Sequence, residues 1–305
     1  MANRTPLFNR VQPGGVYTIS DVVQHPGDIW WVNSATGVDG AGYGQNPDSP
    51  FATLDYAIGK CTASQGDVIY IAPGHAESLA TAGAVACDVA GITIIGLGWG
   101  ANRPTFSFSG TAATWTISAA NVVIKNIRVT STIDEVVKMF VVSAANCTLD
   151  AVDHFETSSC QTIQFLLTTN AADYLTIKNC YHYQATAATA AQLWIQLVGP
   201  DGVRILDNTF ILTLSDGATC AAINATTAVV NCEIARNVIL QTGGTTQVSA
   251  ILLVAASTGF VHDNRVAAAV TTLAGTVALA AAYGAENYTL NTANKSGILD
   301  PVADS

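Results

Sequence analysis

Charge is what this sequence has least of. Of its 305 residues only 11% are Asp, Glu, Lys or Arg, where an ordinary soluble domain has about a quarter. Yet 50% are hydrophobic, and the mean hydropathy is +0.35. Disorder needs the reverse balance and is excluded. Long apolar runs are also missing: Ala250–Ala256 and Val277–Tyr283 fall far short of the about 20 residues of a membrane span. The opening MANRTPLFNR has no apolar stretch, so no secretory leader is expected. Basic residues are few, 12 Lys and Arg against 22 Asp and Glu for a net charge of −10, which argues against a grip on nucleic-acid phosphates. The seven cysteines, 61, 87, 147, 160, 180, 220 and 232, are odd in number and form no CxxC. They read as small buried hydrophobes of a reduced chain, neither a disulfide framework nor a zinc site. Such a chain must hide its apolar surface in a very large core or against other subunits.

A short motif recurs: two apolar residues two apart, then a polar pair. It appears as Val122-Val-Ile124-Lys-Asn126, Cys147-Thr-Leu149-Asp150, Leu175-Thr-Ile177-Lys-Asn179 and Val203-Arg-Ile205-Leu-Asp-Asn208. It continues as Cys232-Glu-Ile234-Ala-Arg-Asn237, Phe260-Val261-His-Asp-Asn264 and Tyr288-Thr-Leu290-Asn291. The second apolar positions, 124, 149, 177, 205, 234, 261 and 290, are 25, 28, 28, 29, 27 and 29 apart, and Ile94 and Ile71 extend the series. The apolar alternation has period two, and no amphipathic helix longer than about ten residues intervenes. Short strands repeating at about 28 residues predict the coils of a parallel β-helix, roughly eight of them.

Stacking the coils predicts ladders. Three residues after the anchor come Asn208, Asn237 and Asn264, an amide ladder. Two after it come Asp207, Arg236 and Asp263, and one after it Lys125, Asp150 and Lys178, charges that alternate in register at a spacing of about 4.8 Å. A second strand recurs in parallel: MFVVS (139–143), QFLLT (164–168), WIQLV (194–198), CAAIN (220–224), AILLVAA (250–256) and VALAAA (277–282). These strands are apolar on nearly both faces, and a coil interior buries one face only. The other is expected against a neighbouring subunit in a cyclic homo-oligomer, read as a trimer.

Residues 1–28 read as an extended N-terminal arm with one short strand at Val16–Ile19. Residues 29–65 read as a cap, 66–293 as the β-helix and 294–305 as a C-terminal tail. Within the cap, Ser49-Pro50 and apolar residues at 51, 54, 57, 58 and 61 predict a short amphipathic helix with Ser49 at its N-cap. The strand Trp30-Trp-Val-Asn33, a Gly/Asp loop, Ser49-Pro-Phe-Ala-Thr-Leu54 and then Gly66-Asp-Val-Ile-Tyr-Ile-Ala-Pro-Gly74 resemble the opening of right-handed β-helix proteins of the pectin-lyase-like superfamily. In that superfamily the helix plugs the N-terminal end of the coil. The resemblance implies an all-β fold: one chain wound into a right-handed parallel β-helix with a short capping helix. The superfamily holds polysaccharide lyases and hydrolases, adhesins, and phage tailspikes, fibres and head-decoration proteins, so fold alone does not choose a function.

Candidate chemistry is thin. Gly96-Leu-Gly98-Trp-Gly100 follows a strand but opens no helix to hold a pyrophosphate, and corner glycines account for it. Asp39 stands in a turn loop without the alternating acidic ligands of a calcium site. Glycoside hydrolysis needs two carboxylates and β-elimination a basic side chain beside acidic metal ligands. The densest acidic stretch is Asp150-Ala-Val-Asp153-His154-Phe-Glu156, with Asp153 aligned on Arg128, His154 on His182, and Lys178 nearby. Ladder roles account for several of these residues. Trp30, Trp31, Trp99, Trp115 and Trp194 are scattered over different coils and give no platform for sugar rings.

No catalytic, cofactor-binding or metal-ligating residue is assigned on these grounds, and no cofactor is expected. The expected function is a non-enzymatic virion structural protein, a capsid decoration, cement or fibre protein of bacteriophage type. It would assemble in the host cytoplasm as a homotrimer and grip the major capsid protein or other virion proteins through the N-terminal arm. Nucleic acid and membrane are excluded as partners, and a glycan is allowed. The alternative is a tailspike-like polysaccharide depolymerase, hydrolase or lyase, acting on host surface glycans at the Asp150–Glu156 edge.

Overall fold

A computed structural model describes residues 8–11, 17–19, 27–156, 160–244, 246, 249–268 and 277–290. Its body is an all-β parallel solenoid of about seven turns, about 28 residues each. Every coil contributes strands to three faces. The first face carries the anchor positions, with Ile94, Ile124, Leu149, Ile177, Ile205, Ile234 and Val261 in one parallel register. The second face begins after one corner residue, and the third holds eight strands from Val85–Cys87 to Val277–Ala278.

The corner between the first two faces is a single residue in the left-handed region. Asn126, Ala151, Asn179, Asp207, Arg236, Asp263 and Glu286 all hold φ between 52° and 57°. That one residue turns the chain and resets its parity, so the next side chain points inward again. In the early coils it is Ile127, Val152 or Cys180; in the late coils it is Asn208, Asn237, Asn264 and Asn287, all buried. The interior is otherwise apolar, with a stack of rings from Phe106 through Trp115, Phe140 and Phe165 to Trp194 at centroid spacings of 4.9, 5.5, 5.2 and 6.0 Å. Burial of such rings is the dominant stabilising term.

Three details differ from the sequence reading. The final anchor is Gly284, which pairs with Val261, whereas Leu290 lies on the second face opposite Ala267. The last coil is shorter than the period, so counting forward from Val261 overshoots. The capping helix is Leu54–Ile58 with Thr53 at its N-cap. Ser49-Pro50 cannot start it, because Phe51 is held in sheet geometry, its N–H donating to Trp31 O and its carbonyl accepting from Asn33 N, both at 2.8 Å. The helix still buries Leu54, Ala57 and Ile58 and packs over the strands Ile29–Val32, Val68–Ile71 and Val85–Cys87, closing the coil end. Asp39 serves this cap, accepting from the N–H of Ala52 and Thr53 and from Thr53 Oγ1.

The third face is more polar outside than expected. Its outward row includes half-buried Val141, Leu167 and Leu252, but Thr116, Gln196 and buried Asn224 interrupt it. Gln164 Nε2 donates to Gln196 Oε1 at 2.6 Å, and Gln196 Nε2 to Thr226 Oγ1 at 3.1 Å. Of the N-terminal arm, Phe8–Val11 pairs antiparallel with Tyr17–Ile19. The strand expected at Val16–Ile19 thus begins at Tyr17, Val16 and most of 1–28 lying outside the described residues, as does the tail 294–305.

Candidate functional site

The acidic stretch singled out in the sequence is divided by strand parity into three surroundings. Asp150 faces outward in register with Lys125 and Lys178, 3.5 Å from Lys178 Nζ, and accepts from Asn179 Nδ2 at 2.8 Å. Asp153, outward on the second face, stands opposite Arg128 and is ion-paired with Arg103. His154 and Glu156 point into the coil and are wholly buried. There His154 Nε2 lies 3.0 Å from Glu156 Oε1, and Glu156 also accepts from the N–H of Thr162 at 2.9 Å and from its hydroxyl. His182, one coil on, is equally buried and stacks on Phe210 at 4.7 Å. Burial, with a smaller effect from His154, holds its pKa well below the ordinary histidine value. A glycosidic bond reaches neither His154 nor Glu156, which leaves Asp150 and Asp153, both held in ion pairs, as the outward carboxylates of this stretch.

Aromatic platforms do exist, contrary to the sequence reading, and they are built by the coil period rather than by tryptophans. Phe155 and Tyr183, one coil apart, stack at 5.0 Å and 17° on the second face. Phe260 and Tyr283 stack at 5.8 Å and 29° on the first face, 60% and 72% exposed. Both rings of this pair thus stand open to solvent side by side.

Around the second pair the ladders change character. Along one row Arg204 pairs with Glu233 at 2.7 Å, and along the corner row Arg236 holds Asp207 in two bonds of 2.7 and 2.9 Å. Asp263 continues that alternation, but the next corner residue is Glu286, a second carboxylate where the pattern calls for a cation. His262 lies beside them, its Nδ1 2.7 Å from Asp263 Oδ2 and its Nε2 3.8 Å from Glu233 Oε1. The hydrogen bond from His262 holds Asp263 below the usual carboxylate range, with smaller contributions from the His262 charge, Glu286 and Arg236. Phe260, His262, Asp263, Tyr283, Gly284, Ala285 and Glu286 line an open cavity of about 420 Å³. Two rings, a histidine oriented by a carboxylate and one further carboxylate thus share one depression, an arrangement able to seat a sugar ring and exchange protons with it. Among the described residues no group of three or more His, Cys, Asp or Glu is placed to hold a metal ion.

The sequence contained part of this site. Asp263 was readable as a ladder charge and Phe260 as a motif position. Tyr283, Glu286 and Asn287 were hidden by the short last coil, which moves them off the 28-residue register. His262 occupies the position after the anchor, where Lys125, Asp150 and Lys178 drew attention first.

No family model matches the chain, and no curated protein does either. Among solved structures it is similar to a rhamnogalacturonan lyase, 14% identical with a TM-score of 0.46, over 80% of this chain and 70% of that one. It is also similar to a GH136 lacto-N-biosidase from Eubacterium ramulus, 11% identical with a TM-score of 0.42, over 88% of this chain and 64% of that one. The chain therefore spans under two thirds of the second neighbour's length. Both likenesses are distant, and the parallel β-helix rests on the coil geometry itself. Both neighbours carry enzyme names, and neither supports the expected non-enzymatic role or the expected phage origin.

Proposed function

We propose that this protein binds a polysaccharide across its C-terminal coils and cleaves it there by acid–base hydrolysis. The reading keeps the depolymerase alternative and moves its site from Asp150–Glu156 to the cavity at Phe260 and Tyr283. The observation that carries it is the exposed, stacked Phe260–Tyr283 pair bordering a cavity walled by His262, Asp263 and Glu286. Sugar rings present apolar C–H faces that stack on aromatic rings, while carboxylates and a histidine move protons at the glycosidic oxygen. Asp263 and Glu286 occupy the same corner position in adjacent coils, which rise by about 4.8 Å. Their carboxyl groups lie within hydrogen-bond reach of each other, so two proton-carrying groups stand side by side at the cavity. Elimination fits less well, because Arg236, whose charge reaches Asp263, is held in two bonds by Asp207.

A homo-oligomer associating through the third face belongs to the same proposal, its support being the half-buried outward Val141, Leu167 and Leu252. The test of the glycan reading is electrophoresis through native gels containing single polysaccharides, with the same polymers then assayed for new chain ends. Retardation in at least one polymer, lost in a Phe260→Ala/Tyr283→Ala double variant, is expected together with new reducing ends. Unsaturated, ultraviolet-absorbing ends would replace hydrolysis by elimination, and no retardation in any polymer would overturn the proposal.

A further inference from the structure

We propose a second ligand site at the opposite end of the coil, where Trp99, Arg103 and Arg128 take an anionic sugar unit, its ring on the indole and its acid group on the guanidinium pair. Trp99 is 73% exposed, while Trp30, Trp115 and Trp194 are buried. It is held out by structure: Gly98 and Gly100 beside it have φ of +92° and +60°, and a Cβ at Gly98 would lie 2.7 Å from Asn102 O. Asn126 Nδ2 pins the same loop through the carbonyls of Gly96 and Gly98 at 2.7 and 3.0 Å. A glycine-flanked loop tied down in this way presents the indole at little cost in side-chain entropy.

Beneath the indole the charge is unbalanced. Arg103, 8% exposed, lies 5.4 Å from the Trp99 ring centroid and takes the carboxylate of Asp153. Arg128 stands in register with Asp153 and Thr105, and its N–H bonds Pro104 O at 2.8 Å, which brings it beside Arg103. Among the described residues Arg128 enters no ion pair. The Nε atoms of both arginines are buried without a hydrogen-bond partner. Asp153 thus balances Arg103 alone, and the half-buried Arg128 guanidinium keeps its charge and N–H groups to give in a chain whose net charge is −10. Guanidinium N–H groups favour planar or tetrahedral oxyanions, and an indole face favours a sugar ring. A uronate or a sulfated sugar offers both halves.

This site does not depend on the hydrolytic reading of the terminal coil. Calorimetric titration of the full chain with an oligoglucuronate, and with the neutral gluco-oligosaccharide of the same linkage and length, tests it. The expected result is binding of the acidic oligomer alone, weakened by salt. Arg128→Gln should weaken it about tenfold, the size of one charge-assisted hydrogen-bond pair, and Trp99→Ala by a similar factor. His262→Ala should leave it unchanged, which separates the two sites. Displacement by inorganic sulfate as strong as by the sugar would reduce the site to an anion site and overturn the ring contact. Equal binding of the neutral oligomer, binding untouched by both variants, or no binding would overturn the proposal as a whole.

Discussion

Asn208 donates both its backbone N–H and its Nδ2 to the Oδ1 of Asn237, each at 3.0 Å. The step repeats from Asn237 to Asn264 at 3.0 and 2.9 Å and from Asn264 to Asn287 at 3.2 and 2.9 Å. The second amide hydrogen of each goes to a carbonyl of the preceding coil: Ile177, Ile205, Ile234 and Val261 in turn. The ladder thus satisfies backbone groups at a corner where one left-handed residue interrupts the sheet. Replacing Asn237 by Ala strips the buried Asn208 N–H and the Ile205 carbonyl of their partners. A loss of about 3 kcal/mol is expected from two orphaned buried groups, read as a lowered melting temperature. An unchanged melting temperature would show that the ladder is decoration.

One buried histidine, His182, gives the fold a pH dependence of known sign. His182 stays neutral in the folded chain because its pKa is lowered, whereas the unfolded chain takes up a proton below about 6.5. The unfolded state then binds more protons, so stability falls as the pH drops below about 6.5, by up to about 1.4 kcal/mol per unit for this group. His182→Phe continues the ring column formed with Phe210 and should flatten the decline. Melting temperatures measured from neutral to mildly acid pH for both proteins decide it. Parallel curves would show that His182 is not the group responsible.

Burial pushes the thiols of Cys87 and Cys180 up to about 12 and that of Cys232 to about 11. At pH 8 they hold almost no thiolate, which is the reactive form. A chromogenic disulfide reagent should therefore leave these three untouched in the native protein and report all seven after unfolding. Rapid reaction of all seven in the folded state would contradict the buried placement.

Glu77 reaches from the second face to accept the N–H of Leu54 at 3.0 Å, while His75 Nε2 lies 3.2 Å from the same carboxylate oxygen. His75 Nδ1 accepts from Ser34 N at 3.0 Å, so the Nε2 hydrogen is free to donate to Glu77. The carboxylate therefore ties the capping helix to the first coils. Glu77→Ala should cost about 1 kcal/mol, the range of a helix-capping group. Amide hydrogen exchange should quicken first in residues 54–58, and uniform quickening along the coil would argue that the cap has no separate role.

Much of this architecture was legible because a solenoid writes its period into the chain. Anchors from Ile124 to Val261, the pairing of Asp150 with Lys178 and of Asp207 with Arg236, and the alignment of His154 on His182 follow from spacing. Register fails where a coil changes length, and the coil from Val261 to Gly284 is the shortest of these. Leu290 matched the motif there although it belongs to another face. The same shortening hid the stacking of Tyr283 on Phe260. The Phe155–Tyr183 stack, by contrast, joins residues 28 apart, one full period, and is readable from spacing. The helix start was misread because Ser49-Pro50 has cap chemistry, while the pairing of Phe51 with Trp31 and Asn33 is a long-range fact. The exposure of Trp99 depends on the Asn126 clamp one coil away and leaves no local trace.

The central claim is that the cavity of the last coils breaks glycosidic bonds with His262, Asp263 and Glu286. The most direct measurement is release of reducing ends from a polysaccharide that the protein retains, compared between the natural chain and an Asp263→Asn/Glu286→Gln variant. The natural chain is expected to release them and the variant at least about a hundredfold fewer, the scale of one lost acid–base partner, with unchanged retention, because Phe260 and Tyr283 are intact. Equal release by both proteins would contradict it.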